Sequence, residues 1–154
     1  MTITSTFPTV LRELLRTHQA FLSYAANHVQ KFNLTLPQYD IIITLGGTSG
    51  MTPKKLGDET LITKGTLTGV VSRLEDKGLV QRSASTKDGR SQIISLTEAG
   101  KAVYEQSFPE HLHYINRLFE NYEQEEIAAL EANLVRLCQS VTAKRNDENE
   151  ETDE

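Results

Sequence analysis

The sequence predicts a mainly α-helical protein with one small β-hairpin, and three observations support this fold class. Apolar residues recur with a helical period over residues 10–32 and again over residues 127–141. Residues 53–77 have the pattern of a short helix, a tight turn and a longer helix with one apolar stripe. Residues 79–96 contain two short runs of apolar and β-branched residues joined by a polar loop, which is typical of a hairpin.

The first two helices are predicted from apolar spacing and from capping signals. Helix one covers residues 10–32, where charged residues lie on the faces that the apolar stripe leaves open. Thr35 offers a capping hydroxyl and Pro37 suits a first helical turn, so a second helix begins there. This helix is short and largely buried, and it ends before Gly46-Gly47.

The middle of the chain predicts two more helices and the hairpin. Thr52-Pro53 repeats the cap-plus-proline start and opens a helix of about two turns. Thr63 is a second capping threonine, and the helix over residues 64–77 ends at Gly78 in a left-handed cap. Strands are predicted over residues 79–83 and 92–96.

The carboxy-terminal third predicts two long helices and a tail. Thr97 caps a helix that runs to about residue 122, with a kink or a break at Pro109 because proline removes one backbone hydrogen bond. The last helix covers residues 123 to about 144, and its apolar residues are spaced 3, 4, 3, 4, as in a packing seam. Residues 146–154 contain no apolar side chain and are expected to be disordered.

Charge is segregated along the chain. The formal net charge is −5, but residues 51–95 carry eight Lys or Arg against five acids, whereas residues 146–154 carry six acids and no base. A basic middle between acidic ends is typical of a module that binds a polyanion. There is no apolar run of about 20 residues and no signal-peptide pattern, so we expect a soluble protein in the cytoplasm. The single cysteine, Cys138, is expected to be a small core residue.

The outer face of the helix at 64–77 is suited to enter a DNA major groove, because small and hydroxyl-bearing residues allow a close approach to base edges. The alternative is an ordinary amphipathic helix in a bundle. At the hairpin tip, Lys87 and Arg90 are placed to reach a minor groove, with Asp88 orienting Arg90, although a solvated turn pair explains the same residues. The predicted DNA-binding residues are Lys54, Thr63, Lys64, Gly65, Thr66, Thr68, Gly69, Ser72, Arg73, Lys87, Asp88 and Arg90.

Several motifs carry a family resemblance. They are Asp-Gly-Arg at residues 88–90, Ser-Leu-Thr-Glu-Ala-Gly at 95–100, Arg-Leu-Glu-Asp-Lys-Gly-Leu-Val at 73–80 and Leu-Thr-Leu-Pro-Gln-Tyr at 34–39. In these motifs the chain resembles the MarR-type winged helix-turn-helix transcriptional regulators, over residues from about 8 to 143. The fold class is then an α/β winged helix with a helical dimerisation region.

The resemblance implies a homodimer whose first and last two helices interlock. Residues 1–34 and 98–145 then form the dimerisation region, and residues 35–97 form a DNA-binding lobe that reads half-sites roughly 34 Å apart on a pseudo-palindromic operator. Family members usually repress, and many lose DNA affinity when a small anionic or phenolic ligand enters a cleft between these regions. The expected interface residues are Val10, Leu14, Ile127, Leu130, Leu134, Leu137 and Val141.

The expected effector is a small aromatic or anionic compound. The candidates to bind it are His18, Tyr24, His28 and Tyr39, each of which also suits a core or interface position.

Departures from the family pattern bear on the mechanism. Gly69 stands where many family members have a larger polar or basic residue. One base contact is therefore expected to be absent, and recognition is expected to depend more on DNA shape. Cys138 lies far from the amino-terminal cysteine of oxidation-sensing members, which disfavours peroxide sensing. Glu110, His111 and His113 cluster, but the two histidines point to different helix faces, which disfavours a metal site.

Other function classes are less favoured. The sequence contains no nucleophile elbow, metal-ligand spacing or nucleotide loop, so we expect no enzyme activity, no cofactor and no metal. Two alternatives remain open: a dimeric protein-interaction module without specific DNA binding, and a metal-responsive regulator.

Overall fold

A computed structural model describes residues 7–60, 62–87, 89 and 91–152, and for residues 146–152 it describes the backbone alone. These residues confirm the predicted class, mainly α-helical with a two-stranded antiparallel hairpin. They fall into two compact units, one that ends at Ile115 and one that begins at Asn116. The elements are α1 (Phe7–Val29), α2 (Leu36–Leu45), α3 (Pro53–Glu59), α4 (Lys64–Asp76), β1 (Val80–Ala84), β2 (Gln92–Leu96), α5 (Glu98–Asn116) and α6 (Gln124–Thr152), with 3-10 turns at Gln30–Phe32 and Arg117–Phe119.

The helix starts follow the capping signals with one exception. At α2, the Thr35 hydroxyl accepts the Gln38 backbone N–H, and the Gln38 side chain accepts the Thr35 N–H, which forms a capping box. Thr52 caps α3 in the same way through its hydroxyl. At α4, Thr63 is the N-cap residue, as predicted, but its hydroxyl makes no capping bond to the backbone and lies 3.1 Å from the Thr66 hydroxyl.

The hydrophobic core of the first unit lies where α2 and α4 pack beside the hairpin. The inner stripe of α4 points into it, as the apolar spacing predicts, and β2 contributes Ile94 and Leu96 from one face. The core residues that are buried most completely are Tyr39, Ile41, Ile42, Leu45, Leu56, Leu74, Ile94, Val29 and Val71.

The hairpin is joined to the loop before α3 by a pairing that the sequence did not predict. β1 begins one residue later than expected, and Val80 lies opposite Leu96 in the antiparallel register. Met51 forms a bridge to Ile94, with both backbone N–H···O distances at 2.9 Å. This bridge adds a short third backbone segment beside the two-stranded sheet and fixes the α2–α3 loop.

A tight junction connects the end of α4 with the start of α5. Gly78 has φ of +71° and the N–H of Leu79 bonds the Leu74 carbonyl, which confirms the predicted left-handed cap. The Leu79 carbonyl in turn accepts the Thr97 N–H at 3.1 Å, and the Thr97 hydroxyl donates to the Gly78 carbonyl at 2.6 Å. Gly100 lies against this junction, so the hairpin base and α5 are in direct backbone contact.

Pro109 does not split its helix, contrary to one form of the prediction. α5 is continuous from Glu98 to Asn116 and ends earlier than the expected residue 122. Proline removes only one intrahelical bond, and Glu105, whose carbonyl would accept that bond, is exposed. Water can therefore replace the lost donor.

The last helix is longer than predicted. α6 extends to Thr152, so the backbone of residues 146–152 is helical where disorder was expected, and residues 153–154 lie outside the described part. Between 124 and 152 the sequence has no glycine or proline, and its alanines, glutamates and leucines favour helix. Cys138 is exposed in the single chain, so the prediction that it is a core residue was wrong. None of the described helices is apolar over a length sufficient to span a bilayer.

Two buried histidines join α1 to α5. His28 and His111 are 8% and 9% exposed, and their Nδ1 atoms are 2.9 Å apart, so one ring must donate to the other. Tyr114 stacks on His28 with ring centroids 4.2 Å apart, and Lys31 forms an ion pair with Glu110 beside them. Burial lowers the pKa of both imidazoles, and the charge of Lys31 lowers the pKa of His28 further while Glu110 opposes this.

The junction at Gly100 gives a stability prediction. A Cβ at this position would lie 2.0 Å from the Leu79 carbonyl oxygen. Hydrogen bonds hold the backbone at both residues, since the Leu79 carbonyl accepts the Thr97 N–H and the Gly100 N–H donates to the Thr97 hydroxyl. We expect Gly100→Ala to lower the free energy of unfolding by roughly 2–3 kcal/mol, measured by urea denaturation. Gly57→Ala is the control, because its Cβ would meet only Leu67 Cδ2 at 3.5 Å. Equal stability of the two variants would contradict the close approach.

The histidine pair gives a pH prediction. A histidine whose pKa is lowered by folding binds fewer protons in the folded than in the unfolded protein. Its contribution to the free energy of unfolding is therefore complete above the unfolded-state pKa of about 6.5 and is lost as the pH falls below that value. The free energy of unfolding should therefore decrease between about pH 7 and pH 5. His111→Gln should flatten this decrease, whereas His113→Gln, at an exposed position, should not. Identical pH profiles for the wild type and His111→Gln would refute the assignment.

Candidate nucleic-acid interface and ligand cleft

Helix α4 separates its residues into a buried stripe and an exposed polar face. Leu67, Val70, Val71 and Leu74 are buried, which fixes the rotation of the helix about its axis. The opposite face is open to solvent and consists of the residues that the sequence nominated, namely Lys64, Gly65, Thr66, Thr68, Gly69, Ser72 and Arg73. The structure therefore brings these predicted residues together on one surface.

The exposed face of α4 is flat because it contains glycine, although packing does not require glycine there. A Cβ at Gly65 would meet no atom within 4 Å, and one at Gly69 would meet only Arg73 Nη2 at 3.9 Å. Lys64 and Arg73 lie near the two ends of the face, roughly 13 Å apart along the helix axis. Within the described residues neither cation forms an ion pair, so both are available to a polyanion.

An ion pair connects α4 to the hairpin. Arg82 Nε of β1 lies 3.2 Å from Glu75 Oε2 of α4, and the two side chains are 30% and 31% exposed. Partial burial strengthens such a pair relative to one in open solvent. Together with the Gly78 junction, this contact holds the hairpin beside the exposed face. The sequence gives no indication of this ion pair, because the two charges lie on different predicted elements.

The hairpin tip is described only in part. Lys87 is exposed, and its backbone N–H donates to the Ser85 hydroxyl at 3.2 Å. Gly89 has φ of +63°, as a tight turn requires. Asp88 and Arg90 lie outside the described residues, so their predicted contact remains a prediction.

A polar groove of about 600 Å³ runs between the hairpin and the start of α3. Its lining includes hydroxyls from both elements and two lysines, Lys55 and Lys87. Lys54, which is a predicted DNA-binding residue, is exposed on α3 but does not line this groove. Lys55 was missed, because adjacent lysines in the sequence give no indication of which one faces the hairpin.

A second cleft, of about 530 Å³, lies among α1, α2, the loop before α4 and α5. Two of the four predicted effector residues, His18 and Tyr39, line it, and Asp40 and His111 line it without having been predicted as ligands. The remaining lining is apolar and consists of Phe21, Leu22, Ala25, Leu36, Pro37, Ile43 and Ile62.

The other two predicted effector residues are engaged elsewhere. Tyr24 donates its hydroxyl to the Tyr114 carbonyl at 3.0 Å and stacks on the Tyr114 ring at 4.2 Å. His28 is bonded to His111, which places it behind the cleft lining. The structure therefore assigns both side chains to the contact between α1 and α5.

Metal ligands do not converge in the described part of the chain, where no three His, Cys, Asp or Glu side chains are placed to hold one ion. Glu110 pairs with Lys31, His111 pairs with His28, and His113 is exposed. The metal-responsive alternative gains no support from this arrangement.

Exposed apolar residues are found on α1 and, separately, in the second unit. On α1, Val10 is 44% exposed and Leu14 is also open to solvent. The predicted seam residues of α6 are also accessible to solvent. Ile127 and Leu137 are half-buried, and the exposed members are Leu130, Leu134 and Val141. The exposed large apolar residues of the second unit are Leu118, Phe119, Tyr122, Leu130, Leu134, Val135 and Val141.

Comparison with known proteins identifies one protein family. The MarR family model matches residues 32–91. The organic hydroperoxide resistance transcriptional regulator of Bacillus subtilis is 35% identical over 102 residues, which cover 60% of this chain and 69% of that protein. Further Bacillus relatives, 30% identical, are matched over 65% of their length.

Solved structures share the fold. AbsC, a MarR family transcriptional regulator from Streptomyces coelicolor, has a TM-score of 0.81 at 24% identity, covering 93% of this chain and 99% of AbsC. NadR in complex with 4-hydroxyphenylacetate has a TM-score of 0.70 at 26% identity, covering 89% and 97% of the two chains. With an exposed polar helix held beside a hairpin and this agreement in sequence and fold, the chain belongs to the MarR family of winged-helix, DNA-binding transcriptional regulators.

Proposed function

We propose that the protein is a homodimeric repressor that binds a pseudo-palindromic operator and is released from it by a small molecule. The observation that carries the proposal is the exposed face of α4, which is polar, flat and free of acidic side chains between Lys64 and Arg73. A regulator of this kind acts where the chromosome lies, so the cytoplasmic location expected from the sequence is part of the proposal.

The DNA contacts follow from the chemistry of this face. Thr66, Thr68 and Ser72 present hydroxyls that donate to or accept from base edges, and the two glycines between them allow a close approach. Lys64 and Arg73 bind phosphates at the two sides of the major groove.

The hairpin extends the contact along the duplex. Lys55 and Lys87 line one polar groove with several hydroxyls, which suits the phosphate backbone next to the major groove. In the proposal Arg90, oriented by Asp88, enters the flanking minor groove.

Dimer formation is supported by the exposed apolar residues of α1 and α6. Side chains such as Leu134, 45% exposed, gain about 25 cal/mol for each Å² of apolar surface that a partner removes from water. A two-fold dimer then presents two α4 helices to half-sites one helical turn apart.

Ligand release is supported by the cleft of about 530 Å³, a volume in the range of small-molecule sites. The cleft shares α2 with the core beneath α4, so an occupant that prefers another position of α2 shifts the protein away from its DNA-binding form. That NadR is complexed with 4-hydroxyphenylacetate supports a small aromatic effector. Peroxide sensing is not proposed, because the only cysteine lies on α6.

The decisive experiment selects genomic DNA fragments with the purified protein and titrates the enriched fragment by fluorescence anisotropy at several salt concentrations. We expect a palindrome with half-sites about 10 base pairs apart and an affinity that falls steeply with salt. Failure to enrich any sequence, with weak binding even at low salt, would refute the proposal and favour the protein-interaction alternative.

Arg73→Ala tests the contacts of α4. Loss of one phosphate or guanine contact should weaken operator binding by more than about 1 kcal/mol and reduce the slope of log K against log salt by about 1. Arg16→Ala is the matched control, because this exposed arginine lies on α1 and pairs with Glu13. If both variants bound the operator like the wild type, α4 would not be the reading element.

Leu134→Asp tests the dimer seam. In a dimer the new carboxylate would be buried without a partner, so the dimer dissociation constant should rise by about a hundredfold or more. Gln139→Asp, an exposed position on another face of α6, should have no such effect. Mass measurement by light scattering across a dilution series distinguishes one chain from two, and an unchanged Leu134→Asp dimer would place the interface elsewhere.

A further inference from the structure

The two strands of the hairpin are anchored unequally. β2 contributes Ile94 and Leu96 to the core, and Ile94 also forms the backbone bridge to Met51. In β1 the first residue, Val80, is buried, and none of the four residues after it is. Apolar burial therefore anchors β2 in its interior but anchors β1 at its first residue.

The ion pair between Glu75 and Arg82 gives β1 a second attachment. Arg82 lies two residues beyond Val80, and its Nε is 3.2 Å from Oε2 of Glu75 in the last turn of α4. In the hairpin register Arg82 is opposite Ile94, the same residue that forms the bridge to Met51. The hairpin is thus held on both edges at one level, by backbone hydrogen bonds beside β2 and by an ion pair beside β1.

The position of Glu75 is unfavourable for a negative charge in a protein that binds DNA. Glu75 follows Arg73 by two residues, and Arg73 is proposed above to bind a phosphate. Charges within a Debye length, about 8 Å at physiological salt, still interact, so a carboxylate at this position repels the phosphates nearby. Electrostatics alone therefore predicts that removal of this charge strengthens DNA binding.

We propose that Glu75 is a positioning residue for DNA binding, which through Arg82 holds the hairpin at the place beside α4 that the duplex requires. This rests on the contacts of α4 and the hairpin in the proposed function. A hairpin that is fixed before binding loses less conformational entropy when it meets the duplex, so preorganisation adds affinity without adding a contact. This gain exceeds the repulsion from one screened carboxylate.

Two neutralising variants test the inference by the sign of their effect on affinity. Glu75→Gln removes a negative charge and Arg82→Gln removes a positive one, so a purely electrostatic effect on DNA would act in opposite directions. Because the two residues act as one positioning pair, both variants should raise the operator dissociation constant in anisotropy titrations, by about three- to fivefold.

Asp76→Asn is the matched control for charge. It removes the same charge from the next residue, which is exposed and forms no ion pair within the described part of the chain. This variant should bind the operator as tightly as the wild type or more tightly, whereas weakening equal to that of Glu75→Gln would overturn the inference.

Salt dependence and a charge exchange separate positioning from a lost phosphate contact. The slope of log K against log salt should stay near the wild-type value in both neutralised variants, whereas a direct phosphate contact of Arg82 would lower it by about 1. Glu75→Arg combined with Arg82→Glu rebuilds the ion pair at unchanged net charge. This double variant should return the dissociation constant to within about twofold of the wild type.

A measurement on the free protein tests the inference independently of the operator. Amide order parameters from NMR relaxation should fall by about 0.1 or more at residues 81–84 in both neutralised variants and recover in the exchanged pair. Unchanged order parameters, tighter operator binding by Glu75→Gln, or an exchanged pair that binds no better than the neutralised variants would overturn the inference. Failure of the wild type to select an operator would instead refute the proposed function.

Discussion

The burial of one side of α4 is the constraint on which the rest of the proposed DNA-binding surface depends. Leu67, Val70, Val71 and Leu74 each contribute about 1.5–3 kcal/mol by leaving water, and together they allow one rotation of the helix only. That rotation turns every small and hydroxyl-bearing residue of α4 outward. Core packing therefore orients the polar face, which depends on few contacts among its own residues.

The hairpin takes its position from the same helix. The left-handed turn at Gly78 redirects the chain, the Leu79 carbonyl receives the Thr97 N–H, and the Glu75–Arg82 ion pair joins the two elements from the side. The Met51–Ile94 bridge fixes the opposite edge. Backbone hydrogen bonds and one ion pair therefore hold the helix and the hairpin side by side.

Local sequence patterns predicted the helices and strands well. The contacts that were not predicted join distant parts of the chain. The apolar spacing of α4 and the glycine at 78 identified the exposed face correctly, because helical period and backbone chirality act within a few residues. The His28–His111 pair joins residues 83 positions apart, and no local pattern indicates that they meet. His111 lines the cleft, whereas His28, its partner in this contact, does not.

The errors at Pro109 and in the acidic tail have a different origin. The break expected at Pro109 does not occur, because a long helix tolerates a single lost hydrogen bond. The acidic tail is helical because glutamate favours helix as well as solubility. The contacts of Asp88 and Arg90 remain predictions.

Helix α2 connects two parts of the first unit, because its residues border both the proposed ligand cleft and the core under α4. Tyr39, Asp40 and Ile43 line the cleft, while Ile41, Ile42 and Leu45 pack in the core beneath α4. A coupling transmitted through one shared helix is reciprocal: the factor by which an occupant lowers affinity for DNA equals the factor by which DNA lowers affinity for the occupant. In the proposed mechanism the operator is therefore itself an antagonist of the effector, and the effector concentration at which the protein responds depends on how much of the protein is bound to DNA.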